Sequence, residues 1–209
     1  ESIYETLGDQ EWAKKVYEKA EGKFKYFSCL TYLAGSIHRN LGDKEWVRKV
    51  YEKAESKADE SIADDSIADV PFGNDGVREL AESIYETLGD KEWAKKIYMK
   101  AESKVETTGE FCSLADSIHK NLGDKEWAKK LYKKAEETAE SSFEFGLLAD
   151  SIHEDLGDKE WAKKIYMKAE EKAEKANDFR NLANSIHENL GDKERAKKLY
   201  KKAEETAES

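Results

Sequence analysis

The sequence predicts an all-α fold, an α-α superhelix in which helix hairpins stack into a solenoid. Three observations lead there. The dipeptide Ser-Ile recurs at Ser2, Ser36, Ser83, Ser117, Ser151 and Ser185, at spacings of 34, 47, 34, 34 and 34 residues. A period of that size marks one supersecondary unit, which cannot bury its apolar face alone and must stack on its neighbours. Charged residues make up 39% of the 209-residue chain and the only proline is Pro71, a composition that favours long, surface-rich helices over strands. Within each unit the apolar residues recur every three or four positions, the period of one helix face.

Taken in order, the elements begin with a partial repeat over residues 1–21. Glu1 aligns with Glu82 in the middle of a first helix, so the chain is expected to be a fragment of a longer protein or array. Repeats follow at about 27–58, 74–106, 108–140, 142–174 and 176–209, read together as one solenoid domain over 1–209. The fourth of these shows the logic. Phe145, Leu148, Ala149, Ile152 and Leu156 lie on one face of helix A. Gly157 suits a left-handed helix C-cap and Asp158 an N-cap, with Glu160 favoured in the first turn of helix B. Trp161, Ala162, Ile165, Tyr166 and Ala169 continue the apolar stripe, with Lys163, Lys164 and Glu170 turned to water.

A 13-residue insertion, set within Asp59 to Gly76, interrupts the array. Its second part, Val70-Pro71-Phe72-Gly73-Asn74-Asp75-Gly76, reads as a loop. Its first part echoes helix A and suits a short extra helical turn or a repeat relic. The aspartates there lack the alternating spacing and central glycine of a calcium loop, so the segment reads as solvated and acidic.

Leu88 to Glu102 is identical to Leu156 to Glu170, and Leu122 to Glu136 differs from Leu190 to Glu204 only by Trp127 against Arg195, a superimposed 68-residue period. Such identity fits recent duplication or a designed, consensus-like array, and it argues against a unique active site. Trp12, Trp46, Trp93, Trp127 and Trp161 share one position, which Arg195 fills in the last unit. The expectation is that each indole packs against the following unit, so the last has no neighbour to cover one.

These residues carry a resemblance. Phe145, Leu148, Ala149 and Ile152, then Ala162, Tyr166 and Ala169, look like the tetratricopeptide pattern of aromatic, Leu, small, aromatic, Ala, aromatic. The pattern recurs at Leu30, Leu33, Ala34, Ile37 and Tyr51; at Val77, Leu80, Ala81, Ile84 and Tyr98; at Phe111, Leu114, Ala115, Ile118 and Tyr132; and at Phe179, Leu182, Ala183, Ile186 and Tyr200. Ile replaces the second aromatic, the closing proline is missing, and the segment from helix A to helix B is one residue longer. Helix B is also similar to half-tetratricopeptide repeats, although helix A lacks their tryptophan. The resemblance implies a right-handed α-α superhelix that organises other proteins.

It further implies an extended peptide held in the groove lined by helix A. Carried over unit by unit, the groove positions are Glu82 and Tyr85; Asp116, His119 and Lys120; Asp150, His153 and Glu154; and Arg180, Asn181, Asn184 and His187. The family's carboxylate clamp needs an Asn where this chain has Asp, so the groove suits a basic or amide-rich segment instead.

The remaining chemistry is sparse. No phosphate loop, zinc-protease motif, nucleophile elbow or CxxC pair is present, and the reading is that the chain is not an enzyme and carries no cofactor. Cys29 and Cys112 fall at non-equivalent places in the repeat and read as reduced packing residues. His38, His119, His153 and His187 share one position, filled by Tyr4 and Tyr85 elsewhere. Neighbouring helices pack roughly 8 to 10 Å apart, too far for such ligands to share an ion, so a polar stripe is expected rather than a metal array. The formal charge of −10 argues against nucleic acid and for a protein or peptide partner of basic character. No apolar run is long enough to span a membrane. The compartment is open, with the cytoplasm as the default. A structural role by self-association through the terminal faces is the alternative.

Overall fold

Each helix B begins where the repeat places an aspartate. Asp9, Asp90, Asp124 and Asp158 accept the backbone N–H of Trp12, Trp93, Trp127 and Trp161, and Asp43 and Asp192 do the same for Trp46 and Arg195. Each bond satisfies one of the donors that the first helical turn leaves without an internal partner. Between helix A and that aspartate stand Gly42, Gly89, Gly123, Gly157 and Gly191, with φ between 66° and 73°. Glycine adopts this left-handed conformation without the steric cost of a Cβ, so the chain reverses within two residues.

The computed structural model describes residues 9–63 and 73–207, and among these it is helical with no strand. The chain divides into two compact units, 1–104 and 105–209. In the first, α1 spans Gln10–Glu21, α2 Phe27–Leu41, α3 Lys44–Ala63, α4 Gly73–Leu88 and α5 Lys91–Glu102. Helices α2 and α3 pair as one hairpin and α4 and α5 as another, with α1 against α2. The partial helix expected over residues 1–8 lies outside the described residues.

The insertion is more helical than the sequence suggests. Helix α3 carries on to Ala63, and Lys100 of α5 holds Asp59 at 2.7 Å. The loop expected over 70–76 is corrected at its end, because Gly73 to Gly76 already belong to α4. Asp75 occupies its first turn, where the helix dipole favours a carboxylate, and accepts a hydrogen bond from Arg78. Two glycines obscured this start, since they weaken any helical pattern read from propensity alone. Residues 64–72, with Pro71 and the rest of the acidic run, lie outside the described residues.

In the second unit, α6 spans Thr108–Leu122, α7 Lys125–Thr138, α8 Ser142–Ser151, α9 Lys159–Glu171, α10 Ala176–Ser185 and α11 Lys193–Ala207. They form the hairpins α6/α7, α8/α9 and α10/α11. Helices α8 and α10 each run on into one turn of π-helix, Ile152–Leu156 and Ile186–Leu190. Helices α6 and α8 open on capping boxes: Thr107 with Glu110, and Ser141 with Glu144.

The core follows the repeat. Ala34 and Ala81 in the first unit, and Ala115, Ala149 and Ala183 in the second, are fully buried, and their small side chains let the paired helices approach closely. Leu80, Ile84, Leu114, Ile118, Leu148 and Ile152 fill the space between, each contributing on the order of 2 kcal/mol by leaving water. Tyr51, Tyr98, Tyr132 and Tyr166 are buried to 1% exposure or less.

Three of the tryptophans face the other way from the expectation. Trp46 donates its indole N–H to Glu21, Trp93 to Glu55 at 2.7 Å, and Trp161 to Glu136 at 3.0 Å, in each case on helix B of the preceding repeat. Trp93 also meets Tyr51 edge-on and lies beneath the Arg48 guanidinium, both on that preceding helix. The same glutamates pair with Lys53, Lys100 and Lys168. Arg195 is therefore a working substitute: it donates to Glu170 at 2.7 Å, and Lys202 completes the pair. A guanidinium can replace an indole here because the contact depends on an N–H aimed at a carboxylate.

Candidate functional site

A cavity opens between consecutive A helices in each unit. Helices α2 and α4 stand side by side in the first unit, and a cavity of about 630 Å³ opens between them. Ser28, Thr31, Gly35, His38 and Arg39 line it from α2, and Gly76, Glu79, Ser83, Glu86 and Thr87 from α4. Small residues create the space: a Cβ built on Gly35 would meet no atom within 4 Å. Phe24, Cys29, Tyr32 and Tyr51 give it aromatic and apolar wall. In the second unit a smaller cavity, about 230 Å³, lies between α8 and α10. Phe143, Gly146 and Asp150 line it from one side, and Asp178, Asn181 and Ser185 from the other.

Of the groove residues expected from sequence, Asp150 and Asn181 line the smaller cavity. None of them lines the larger one. The counterparts of Asp150, His153 and Glu154 in the repeat at about 27–58 are Gly35, His38 and Arg39, which do line it. Glu82 pairs with Arg78 at 2.5 Å, and Tyr85 lies under the Lys91 ammonium at 5.8 Å. Lys120, Glu154 and His187 are exposed, as are Arg180, which donates to Asn177, and Asn184, which accepts from Tyr200. His38, His119 and His153 are half-buried, each with its Nδ1 buried and lacking a hydrogen-bond partner. No three metal-ligating side chains converge among the described residues.

Asp116 and Asp150 are engaged in something the sequence reading missed. A tyrosine of helix B reaches a polar residue near the end of helix A in the next repeat. Tyr17 meets Asn40 at 2.5 Å and Tyr51 meets Thr87 at 3.2 Å in the first unit. In the second, Tyr132 meets Asp155 at 2.5 Å and Tyr166 meets Asn189 at 2.8 Å. Asp116 and Asp150 join from the tyrosine's own hairpin, with Tyr132 and Tyr166 donating to them at 2.5 Å. Asn189 and Ser185 donate to Asp150 as well, so its carboxylate is well supplied with donors. The column Asn40, Thr87, Asn121, Asp155 and Asn189 is visible in the repeat register and was the available signal.

Burial, with the adjoining Asp155 carboxyl and the Glu154 charge, pushes the Asp116 carboxyl up to about 7 despite the Tyr132 hydrogen bond. Burial, then the Asp116 charge, pushes the Cys112 thiol up to about 12. Tyr132 and Tyr166 are both raised, first by burial and then by the carboxylates they donate to.

A tetratricopeptide-repeat family model matches residues 80–103 and 181–209. The chain is a tetratricopeptide-like helical repeat protein. Repeats of this family generally mediate protein–protein interactions and act as non-enzymatic scaffolds, and its members bind proteins or peptides. The two matched segments cover one helix B with most of its helix A and one nearly complete hairpin, α10/α11, in keeping with the hairpin geometry above. No curated protein matches the chain. No helix among the described residues is long and apolar enough to cross a membrane.

Proposed function

We propose that this tetratricopeptide-like chain is a scaffold that takes an extended protein or peptide segment along the helix A groove of a right-handed superhelix. One observation supports the reading above others: cavities open between consecutive A helices in each unit, between α2 and α4 and between α8 and α10. Such clefts combine apolar wall with a few polar groups, the usual make-up of a recognition site. In the second unit Asp150 and Asp178 flank the cleft and no cation lines it, which favours a basic or amide-rich segment there.

Panning a random peptide library tests this. Peptides selected on the wild-type protein are expected to lose binding to Gly35→Trp or Gly146→Trp, which fill the two clefts from positions where a Cβ meets nothing. Selected peptides that bind the filled variants as well as the wild type would place recognition elsewhere. Light scattering on the same samples distinguishes the alternative of self-assembly, which requires association without peptide.

A further inference from the structure

The four tyrosine joints within the two units share a contact from a helix B phenol to the end of the next helix A, and the residue met there varies; at Tyr132 and Tyr166 an aspartate of the same hairpin joins as well. Where Asn40 and Asn189 stand, an amide N–H faces the phenol oxygen and donates to it. Where Thr87 stands, a hydroxyl takes that place. Where Asp155 stands, a carboxyl meets the Tyr132 oxygen at 2.5 Å, and the adjoining Asp116 carboxyl meets the same oxygen at 2.5 Å.

The proton count at that joint does not balance with both carboxyls ionised. A phenol carries one hydrogen and donates it once. If Asp116 and Asp155 are both carboxylates, one of them faces a bare phenol oxygen at hydrogen-bond distance with no proton between them. One additional proton, taken from solvent, completes the set: a carboxylic acid donates to the phenol oxygen, and the phenol donates to the remaining carboxylate. We propose that the joint between hairpins α6/α7 and α8/α9 is proton-controlled, closed when the Asp116–Tyr132–Asp155 cluster holds that additional proton and loosened when it is lost.

The surroundings reinforce proton uptake. From α6, the Cys112 thiol faces the cluster beside Asp116; from α7 comes Tyr132; and from the end of α8 come Asp155 and the Glu154 charge, with the Ser151 hydroxyl on the Cys112 thiol. The charges bearing on Asp116 are thus negative, and its raised proton affinity follows from burial together with them. A group whose folded-state proton affinity is raised contributes stability that is complete in acid and fades as pH rises through the folded value, here towards neutrality. The neighbouring joint lacks this dependence, because the Asn189 amide donates at any pH. The inference is independent of whether the groove binds peptide.

Melting temperatures from about pH 5 to about pH 8 test it, using wild type, Asp155→Asn and Asn189→Asp. Asp155→Asn supplies a permanent donor: it is expected to melt with the wild type near pH 5 and roughly 3–6 °C above it near pH 8. Asn189→Asp builds the same carboxyl pair around Tyr166 and Asp150, and it is expected to gain a second loss of stability over the same range. Carbon-13 NMR of the carboxyl groups should show an apparent titration of the Asp116–Asp155 pair near neutrality that Asp155→Asn abolishes. A difference between Asp155→Asn and wild type that is the same at both pH values overturns the proposal. So does titration of both carboxyls below about pH 5, or an Asn189→Asp profile parallel to the wild type.

Discussion

The two cysteines show how much a single position in the repeat decides. Cys29 is half-buried on the wall of the larger cavity, whereas Cys112 is 2% exposed beside Asp116 with its thiol pushed up to about 12. A thiolate is the reactive species, so burial and raised proton affinity protect Cys112 twice over. A maleimide at about pH 7 is therefore expected to modify Cys29 alone in the folded protein, and both residues in denaturant. Mass spectrometry of the native adduct reads the outcome directly; modification of Cys112 at a comparable rate would show that its surroundings open readily. A ligand seated between α2 and α4 should slow labelling of Cys29, which gives the groove a simple occupancy reporter.

Turns and clamps operate at the scale of the element. Gly157 has φ of +66° and open space around its missing Cβ, so Gly157→Ala meets backbone strain and no clash. The expected cost is about 1–2 kcal/mol, measured as a lower urea midpoint. The Glu170 clamp is electrostatic. Although burial opposes it, donation from Lys202 and Arg195 holds the Glu170 carboxyl below its ordinary value of 4.5. Its stabilisation is therefore present above that ordinary value and disappears as pH falls through the lower folded one. Glu170→Gln should cost about 1 kcal/mol at neutral pH and nothing in strong acid, as judged by urea midpoints. A cost that persists in acid would assign the effect to packing. The turn was legible in Leu-Gly-Asp because local chemistry fixes it: a left-handed glycine and an aspartate cap need no distant partner. The clamp was not. The sequence shows that Trp and Lys recur, but the choice between preceding and following helix B depends on how hairpins lean, which only the packed structure supplies. The same holds for Asp116 and Asp150, which lie at groove positions by register while their carboxylates are drawn into the joints.

At the scale of the whole molecule, the repeats, interrupted once by the insertion, fall into two compact units, 1–104 and 105–209. Periodicity carried the hairpins and the core almost completely, since each buried Ala, Leu and Ile follows from a local stripe. It did not show the cavities, which depend on small residues such as Gly35 and Gly146 that leave no apolar signature. In repeat architectures stability is close to a sum of local and nearest-neighbour terms, so damage need not spread through the chain. Leu148 is completely buried in α8, and Leu148→Ala should cost about 3 kcal/mol. Hydrogen exchange followed by mass spectrometry should then show lost protection in α6–α11 while α2–α5 keep the wild-type rates. Equal loss in α2–α5 would mean that the chain opens as one cooperative block, and stability changes such as the Asp155 substitution would then register along its entire length.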